Sequence, residues 1–353
     1  SWRWLFFINA PIGAVVLFLV ARYGDFDKGD PKLAKGFDWW GLGLMAVFLM
    51  SLQYVLEEGS KAGWFDDETI LGLAVVVALT GPAFVWRTLA YANPLVELRA
   101  FRDRNFLIGV CMTFVSGATL FGGTFLLPQF LGHVRQFSAA EIGSTMVISG
   151  LSMFLTAPIA GRLARKVDAR VLMVVGFGMV AFGMWLGRAP TPEWGFAEFV
   201  AVQAFRGVGV MLAMIASQTV TMSTLPPPMV KNASALVNLF RNVGGAVGLA
   251  LLATTLTNRT AAHLSDLTQA MSVSRGGSTG LLETMIARYE ALGVADPEGA
   301  AAKAVFGMIH RQAATLAYGD AFMVLAIGGA LAAVAALFAR PVKAAAAPAE
   351  GVH

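Results

Sequence analysis

Charge is scarce in this sequence. Only 14% of its 353 residues are Asp, Glu, Lys or Arg, against about 25% in soluble domains, while 57% are hydrophobic. A water-soluble globule is excluded on that balance. Cysteine is nearly absent: Cys111 stands alone inside an apolar stretch, so no internal disulfide can form and redox chemistry finds no partner thiol. The four histidines, His133, His263, His310 and His353, are scattered and make no metal-ligand spacing. No basic domain stands apart for nucleic acid. There is no nucleophile–base pair and no phosphate loop, so neither an enzyme nor a resident cofactor is expected. SWRWLFFINAPIG at the start lacks the charged region and small-residue cleavage site of a signal peptide.

What is abundant is apolar sequence of membrane-crossing length. Such stretches run over about 4–21, 39–56, 69–88, 105–130, 141–161, 171–188, 196–222, 233–256 and 319–339, each near the roughly 20 residues a helix needs to span a bilayer. The expectation is an all-α integral membrane protein with about nine transmembrane helices. The cations divide the connections into two sets. One carries Arg22, Lys28, Lys32 and Lys35, then Arg87, Arg99, Arg102 and Arg104, then Arg162, Arg165, Lys166 and Arg170, then Lys231, and last Arg340 and Lys343; the alternate short connections carry only Lys61, Arg135 and Arg188. The positive-inside rule places the first set in the cytoplasm and Ser1 outside. An outside start without a translocation signal is expected to follow an odd number of further spans, which would make this the C-terminal part of a longer chain. LPPPMV, around Pro226, Pro227 and Pro228, must leave the helix. Residues 257–318 form the one long connection. TAAHLSDLTQAM and ETMIARYEALG within it could be helical around a flexible SRGGSTG, and a solvated loop is preferred over a docking surface. The tail 341–353, AAAAPAEGVH at its end, is expected to be disordered.

One charge lies where the pattern disfavours it. Arg206 sits well inside FAEFVAVQAFRGVGVMLAMIASQTVTM. A guanidinium keeps its proton, and placing it in hydrocarbon costs about 3 kcal/mol even on lenient insertion scales. It must face protein or a watery cavity and have a partner, and Gln203, one turn earlier, shares its face. Two readings stand: a functional position, or an anchor for helix packing, since Gly207 and Gly209 permit close approach.

Other candidates are weaker. AGRLARKVDAR, with Gly161, Arg162, Arg165, Asp168 and Arg170, is either plain topological anchoring or a clamp that joins helix ends in one conformation and frees them in another. In SALVNLFRNVGGAVGLALL, Asn238, Arg241 and Asn242 precede Gly244, Gly245 and Gly248, a smooth stripe for close helix contact or bending. Arg241 could snorkel to the interface or meet a substrate. Over 105–130, Thr113, Ser116, Thr119, Thr124 and Gln129 accompany Phe114, Phe121 and Phe125, suiting a cavity for greasy cations or ordinary packing. Glu57 and Glu58 end a span and Asp320 begins the last one; any of them could carry a proton, but terminal positions favour solvated carboxylates.

The stretches WRWLFFINAPIG, LVELRAFRDRNF and LPQFLG…FSAAEIG…APIAGRLARKVDAR resemble the major facilitator superfamily, and within it the fourteen-span drug:proton antiporters of the EmrB/QacA type. GRLARKVDAR is similar to the C-terminal copy of the superfamily's cytoplasmic loop motif, QAFRGVG to its fourth-helix arginine motif and NVGGAVG to its glycine-rich fifth helix. The resemblance implies the major facilitator fold with pseudosymmetric halves. Residues 1–22 would be the last helix of the N-terminal half, 23–104 two extra central helices with linkers, and 105–340 the C-terminal six-helix half with a long periplasmic loop at 257–318. The first five helices, and with them the principal proton site, would lie outside this chain. The implied function is proton-driven export of lipophilic, often cationic compounds across the bacterial inner membrane by alternating access. Arg206, Gln203, Asn238, Arg241, Gln129 and Phe121 would be candidates for the substrate or proton pathway, and the 161–170 loop for a conformational switch. The long outer loop and QAATLAYGDAF look like members that work with a periplasmic adaptor and an outer-membrane channel. A dedicated exporter of one metabolite, siderophore or antibiotic keeps the same fold. A non-transporting sensor or scaffold is the reading from another class.

Overall fold

The structure, a computed structural model, describes residues 4–7, 9–24, 37–91, 96, 98–225, 227–273 and 275–341, with backbone alone at 5, 6, 227–233, 272, 273 and 275–279. Lys28, Lys32, Lys35, Pro226, the side chain of Lys231, Lys343 and the tail from 342 lie outside the described residues. Among the described residues every regular element is helical.

The chain divides into two units, residues 1–39 and 40–353. The first holds α1 (Trp4–Phe7) and α2 (Asn9–Tyr23), the latter with no buried residue. Both fall on the stretch expected as one span over 4–21, and residue 8 between them lies outside the described residues. The second unit takes in α3 (Trp39–Glu58), α4 (Glu68–Ala90), α5 (Arg104–His133), α6 (Ala139–Lys166), α7 (Ala169–Leu186), α8 (Phe196–Ser223), α9 (Pro227–Val273), α10 (Arg275–Ala291) and α11 (Pro297–Ala336). Eight of these helices are long and apolar enough to cross a membrane, so the protein is a multi-pass membrane protein.

Local chemistry sets the helix starts. Asp103 accepts from Phe106 N–H at the head of α5, and the Thr224 hydroxyl donates to the same Asp103 oxygen, tying the α8–α9 connection to that end. Ser138 and Glu141 form a capping box at α6, satisfying donors the first turn leaves orphaned.

Packing then orders the bundle. The middle helix is α8, which contacts α5, α6 and α7; α11 closes against α5, α7 and α9. Twelve positions of α8 are buried, and its glycines explain how three neighbours fit. A Cβ on Gly207 would stand 2.7 Å from the Ser149 carbonyl oxygen of α6, and one on Gly209 would stand 2.6 Å from that of Gly176 on α7. Near one end of the bundle Phe130, Phe199 and Tyr318 meet edge to face, each pair with centroids 5.4 Å apart where they touch. Toward the other end Met112, Met173, Phe177, Ala213 and Ala216 form a second cluster. Helices α3 and α4 bury little of themselves, and Trp40, Met50, Leu79 and Trp86 lie exposed on them, as lipid-facing helices should.

Two expectations change. Residues 257–318 are not a solvated loop: α9 runs unbroken to Val273, α10 follows, and α11 starts at Pro297. The SRGGSTG segment, expected to be flexible, is helical from Arg275. At 47 and 40 residues, α9 and α11 extend about 70 and 60 Å, well beyond a hydrocarbon core of about 30 Å. The apolar windows located the crossing portions and missed the polar extensions, which hydropathy cannot distinguish from loop. Asp320, expected as a solvated carboxylate at the start of a span, therefore lies mid-helix in α11. There it meets His263 Nε2 at 2.9 Å and Arg259 Nε at 3.6 Å, both on α9.

Candidate functional site

Among the described residues Arg206 is the largest fully buried side chain, 1% exposed. Its Nε–H donates to Gln203 Oε1 at 2.9 Å and Nη2 donates to Ser149 Oγ at 2.5 Å. Gln203, buried as well, turns its amide toward the Met146 sulfur at 3.6 Å. No carboxylate pairs with the guanidinium among the described residues, and Nη1 has no hydrogen-bond partner there. That nitrogen lies on α5 where Gly123 leaves room: a Cβ on Gly123 would be 2.7 Å from Arg206 Cδ and 2.8 Å from Nη1. The charge thus sits at the meeting point of α5, α6 and α8, facing protein and not an open cavity.

On the other side of α5 the environment is different. Positions two apart on a helix do not share a face, and Phe121, two residues before Gly123, is partly exposed in a cleft between α3 and α9. Gly245 permits this, because the Phe121 ring lies where a Cβ of residue 245 would stand. Gln53, Glu57 and Asn242 line the same cleft. Asn238 and Arg241 hydrogen-bond each other, and Arg241 Nη1 reaches toward the Met214 sulfur at 3.8 Å. Gln129 lies two turns beyond Phe121 on α5, so the six sequence candidates fall into separate places. Arg206 and Gln203 form one network, Asn238 and Arg241 a second, and Phe121 the wall of the cleft.

At the basic connection Asp168 caps α7 through Arg170 N–H (2.9 Å) and pairs with Arg170 Nε at 3.7 Å. Arg170 Nη1 also donates to the Ala339 carbonyl at 3.0 Å, just past α11. Asn105, buried at the start of α5, accepts from Arg340 N–H at 2.8 Å and donates to the Arg340 carbonyl at 3.4 Å. The end of α11 is therefore held by α5 and α7 together. Arg162 and Arg165 are exposed, and a Cβ on Gly161 would meet nothing within 4 Å.

The model of the Major Facilitator Superfamily matches residues 1–249. The chain belongs to that superfamily. Among curated relatives, it is 34% identical over 327 residues to the colistin resistance protein EmrB of Acinetobacter baumannii, covering 93% of this chain and 64% of that one. It is 31% identical over 295 residues to the multidrug export protein EmrB of Escherichia coli K12, covering 83% of this chain and 56% of that one. The multidrug export protein EmrB of Haemophilus influenzae is 32% identical over 270 residues, covering 76% and 52%. The chain thus spans somewhat more than half the length of these superfamily relatives.

Within this superfamily chain, sequence reasoning missed Ser149, Asn105 and Gln53 as candidate site residues, and set Glu57 aside as a solvated carboxylate. Ser149 and Asn105 carry no signal beyond being polar near or inside an apolar run. Their roles come from contacts 57 and 235 residues distant in the chain. The clasp yields a test. Arg170→Ala removes one charged hydrogen bond and one half-exposed ion pair, a loss of about 1 kcal/mol. Amide exchange over residues 335–341 should speed up while the rest of the bundle keeps its protection. Unchanged exchange there would mean that Arg170 does not hold α11.

Proposed function

We propose that this chain works in a proton-motive-force-driven exporter of lipophilic, often cationic compounds, moving them by alternating access across the bacterial inner membrane. The observation that carries the reading is the 34% identity over 93% of the chain to a protein named for colistin resistance, joined by relatives named for multidrug export. The geometry agrees with it in kind. A fixed positive charge is buried where three helices meet, and two helix ends are clasped by hydrogen bonds that a rocking motion could make and break. In this reading Arg206 with Gln203 biases the cavity's electrostatics or couples proton release to substrate entry, acting through α5, which separates it from the cleft. Asn238, Arg241, Gln129 and Phe121 belong to the substrate path, and Gly161, Arg162, Arg165, Asp168 and Arg170 to the switch. The positively charged connections and the C-terminus face the cytoplasm, and the helical extensions of α9, α10 and α11 face a periplasmic adaptor that leads to an outer-membrane channel.

The test is dye efflux from cells expressing the intact membrane protein. Export should stop when a protonophore collapses the gradient. A protein shown to be in the membrane that exports no dye would sink the reading, in favour of a dedicated exporter or a non-transporting sensor.

A further inference from the structure

The cleft between α3 and α9 has features that the exporter reading does not use. It consists of two adjoining cavities of about 430 and 350 Å³, which share Gln53, Glu57 and Asn242 in their walls. Together they have the size of a small-molecule site. Leu239 and Tyr54 continue one wall and the Phe121 ring forms another. Glu57 is the single acidic residue lining either cavity, and among the described residues no basic side chain lines them. The carboxylate accepts one hydrogen bond, from Gln53 Nε2 at 2.5 Å, and pairs with no cation among the described residues.

Glu57 ends α3, which by sequence puts it at a membrane surface. In the bundle it shares a cavity with Phe121 and Gly245, and α5 continues from Phe121 to His133, about 18 Å further. Phe121 is two residues from Gly123, against which Arg206 lies. Glu57 is exposed, and its carboxylate opens onto the cleft that the Phe121 ring walls on the other side. A carboxylate facing an otherwise apolar cleft, with no cation of the described residues beside it, favours a cationic ligand there.

The geometry points to the α3–α9 cleft as a binding site for a lipophilic organic cation of single, delocalised charge, with Glu57 as counter-ion and Phe121 as the aromatic face. The leucine and tyrosine walls take the apolar body. The carboxylate supplies the charge, and the ring face adds cation–π attraction. An anion would meet Glu57 with no compensating cation. The inference rests on the exporter reading and adds one of the extra central helices to the substrate site.

The probe is tetraphenylphosphonium, titrated onto the purified intact membrane protein beside an uncharged naphthylamine dye. Glu57→Gln keeps the shape and removes the charge. It should weaken the cation about tenfold, the worth of one charged contact, and leave the neutral dye unchanged. Glu57→Asp, which keeps the charge on a shorter arm, should retain the preference for the cation, and Phe121→Ala should weaken both probes. Tetraphenylphosphonium bound by Glu57→Gln as tightly as by the parent overturns the site, as does parallel loss of both probes or no binding by the parent. Efflux measured separately keeps the two claims apart. Glu57-dependent binding without export removes the exporter reading and leaves the site, whereas protonophore-sensitive export with Glu57-independent binding does the reverse.

Discussion

Arg206→Met is expected to reach the membrane at the parent's level, to unfold at the same temperature or a higher one, and to lose at least about tenfold in efflux rate, roughly 1.4 kcal/mol in the transport barrier. The two halves of that result follow from the same geometry. The guanidinium has two hydrogen bonds, no carboxylate and one nitrogen with no partner among the described residues. Its desolvation is only partly offset, so a methionine of similar length packed against Gly123 removes a cost as well as a contact. Replacing buried ionic groups by apolar ones of like volume is often neutral or stabilising. If Arg206 served packing alone, the methionine variant should transport normally. If it sets the electrostatics between α5, α6 and α8, stability and transport must separate. Thermal unfolding in detergent and efflux in cells, on matched expression, decide between them. Efflux kept at the parent's rate removes Arg206 from the mechanism.

That Arg206 is buried and paired could be read from the sequence, because an arginine in a long apolar run has few places to go, and Gln203 one turn away was an obvious partner. Ser149 was not legible. Its hydroxyl reaches Arg206 only because Gly207 lets α6 approach α8 at that level, a matter of helix register that no local pattern encodes. The ends of the apolar spans were legible to within a few residues for α5, α6, α7 and α8. Where the helices continue as polar sequence the signal disappears, which is why α9 and α11 are far longer than their apolar cores. Glu57 shows the same limit from another side. Its position at a helix end is local information, but its place in a cleft with Phe121 and Asn242 depends on where α3 lies beside α5 and α9. The glycines at 244 and 248 were legible as a smooth stripe. Which backbone they touch was not.

The contact they make gives the largest expected structural effect. At the crossing of α5 and α9, a Cβ on Gly117 would overlap the Arg241 carbonyl oxygen and stand 2.9 Å from its carbon. One on Gly244 would overlap the Phe114 carbonyl oxygen and stand 2.8 Å from its carbon. Both obstacles are backbone, which cannot swing aside as a side chain can, so the helices themselves must move apart. Small residues at such crossings are the main source of close packing in a bilayer, where no hydrophobic drive holds helices together. Gly117→Ala should therefore cost about 3 kcal/mol, the upper end for overpacking, read as a lower unfolding temperature in detergent. Gly161→Ala is the control, since its Cβ would meet open space, and it should unfold with the parent. Gly117→Ala and Gly244→Ala combined should cost less than their sum, because once α5 and α9 have separated for one methyl the second meets less resistance, as expected for neighbouring sites sharing one displacement. The same displacement would pull Phe121 away from Gly245 and open the cleft, so cation binding should fall in step with stability across these variants. Strict additivity would mean that each glycine is relieved locally, and that the two helices do not move as rigid rods.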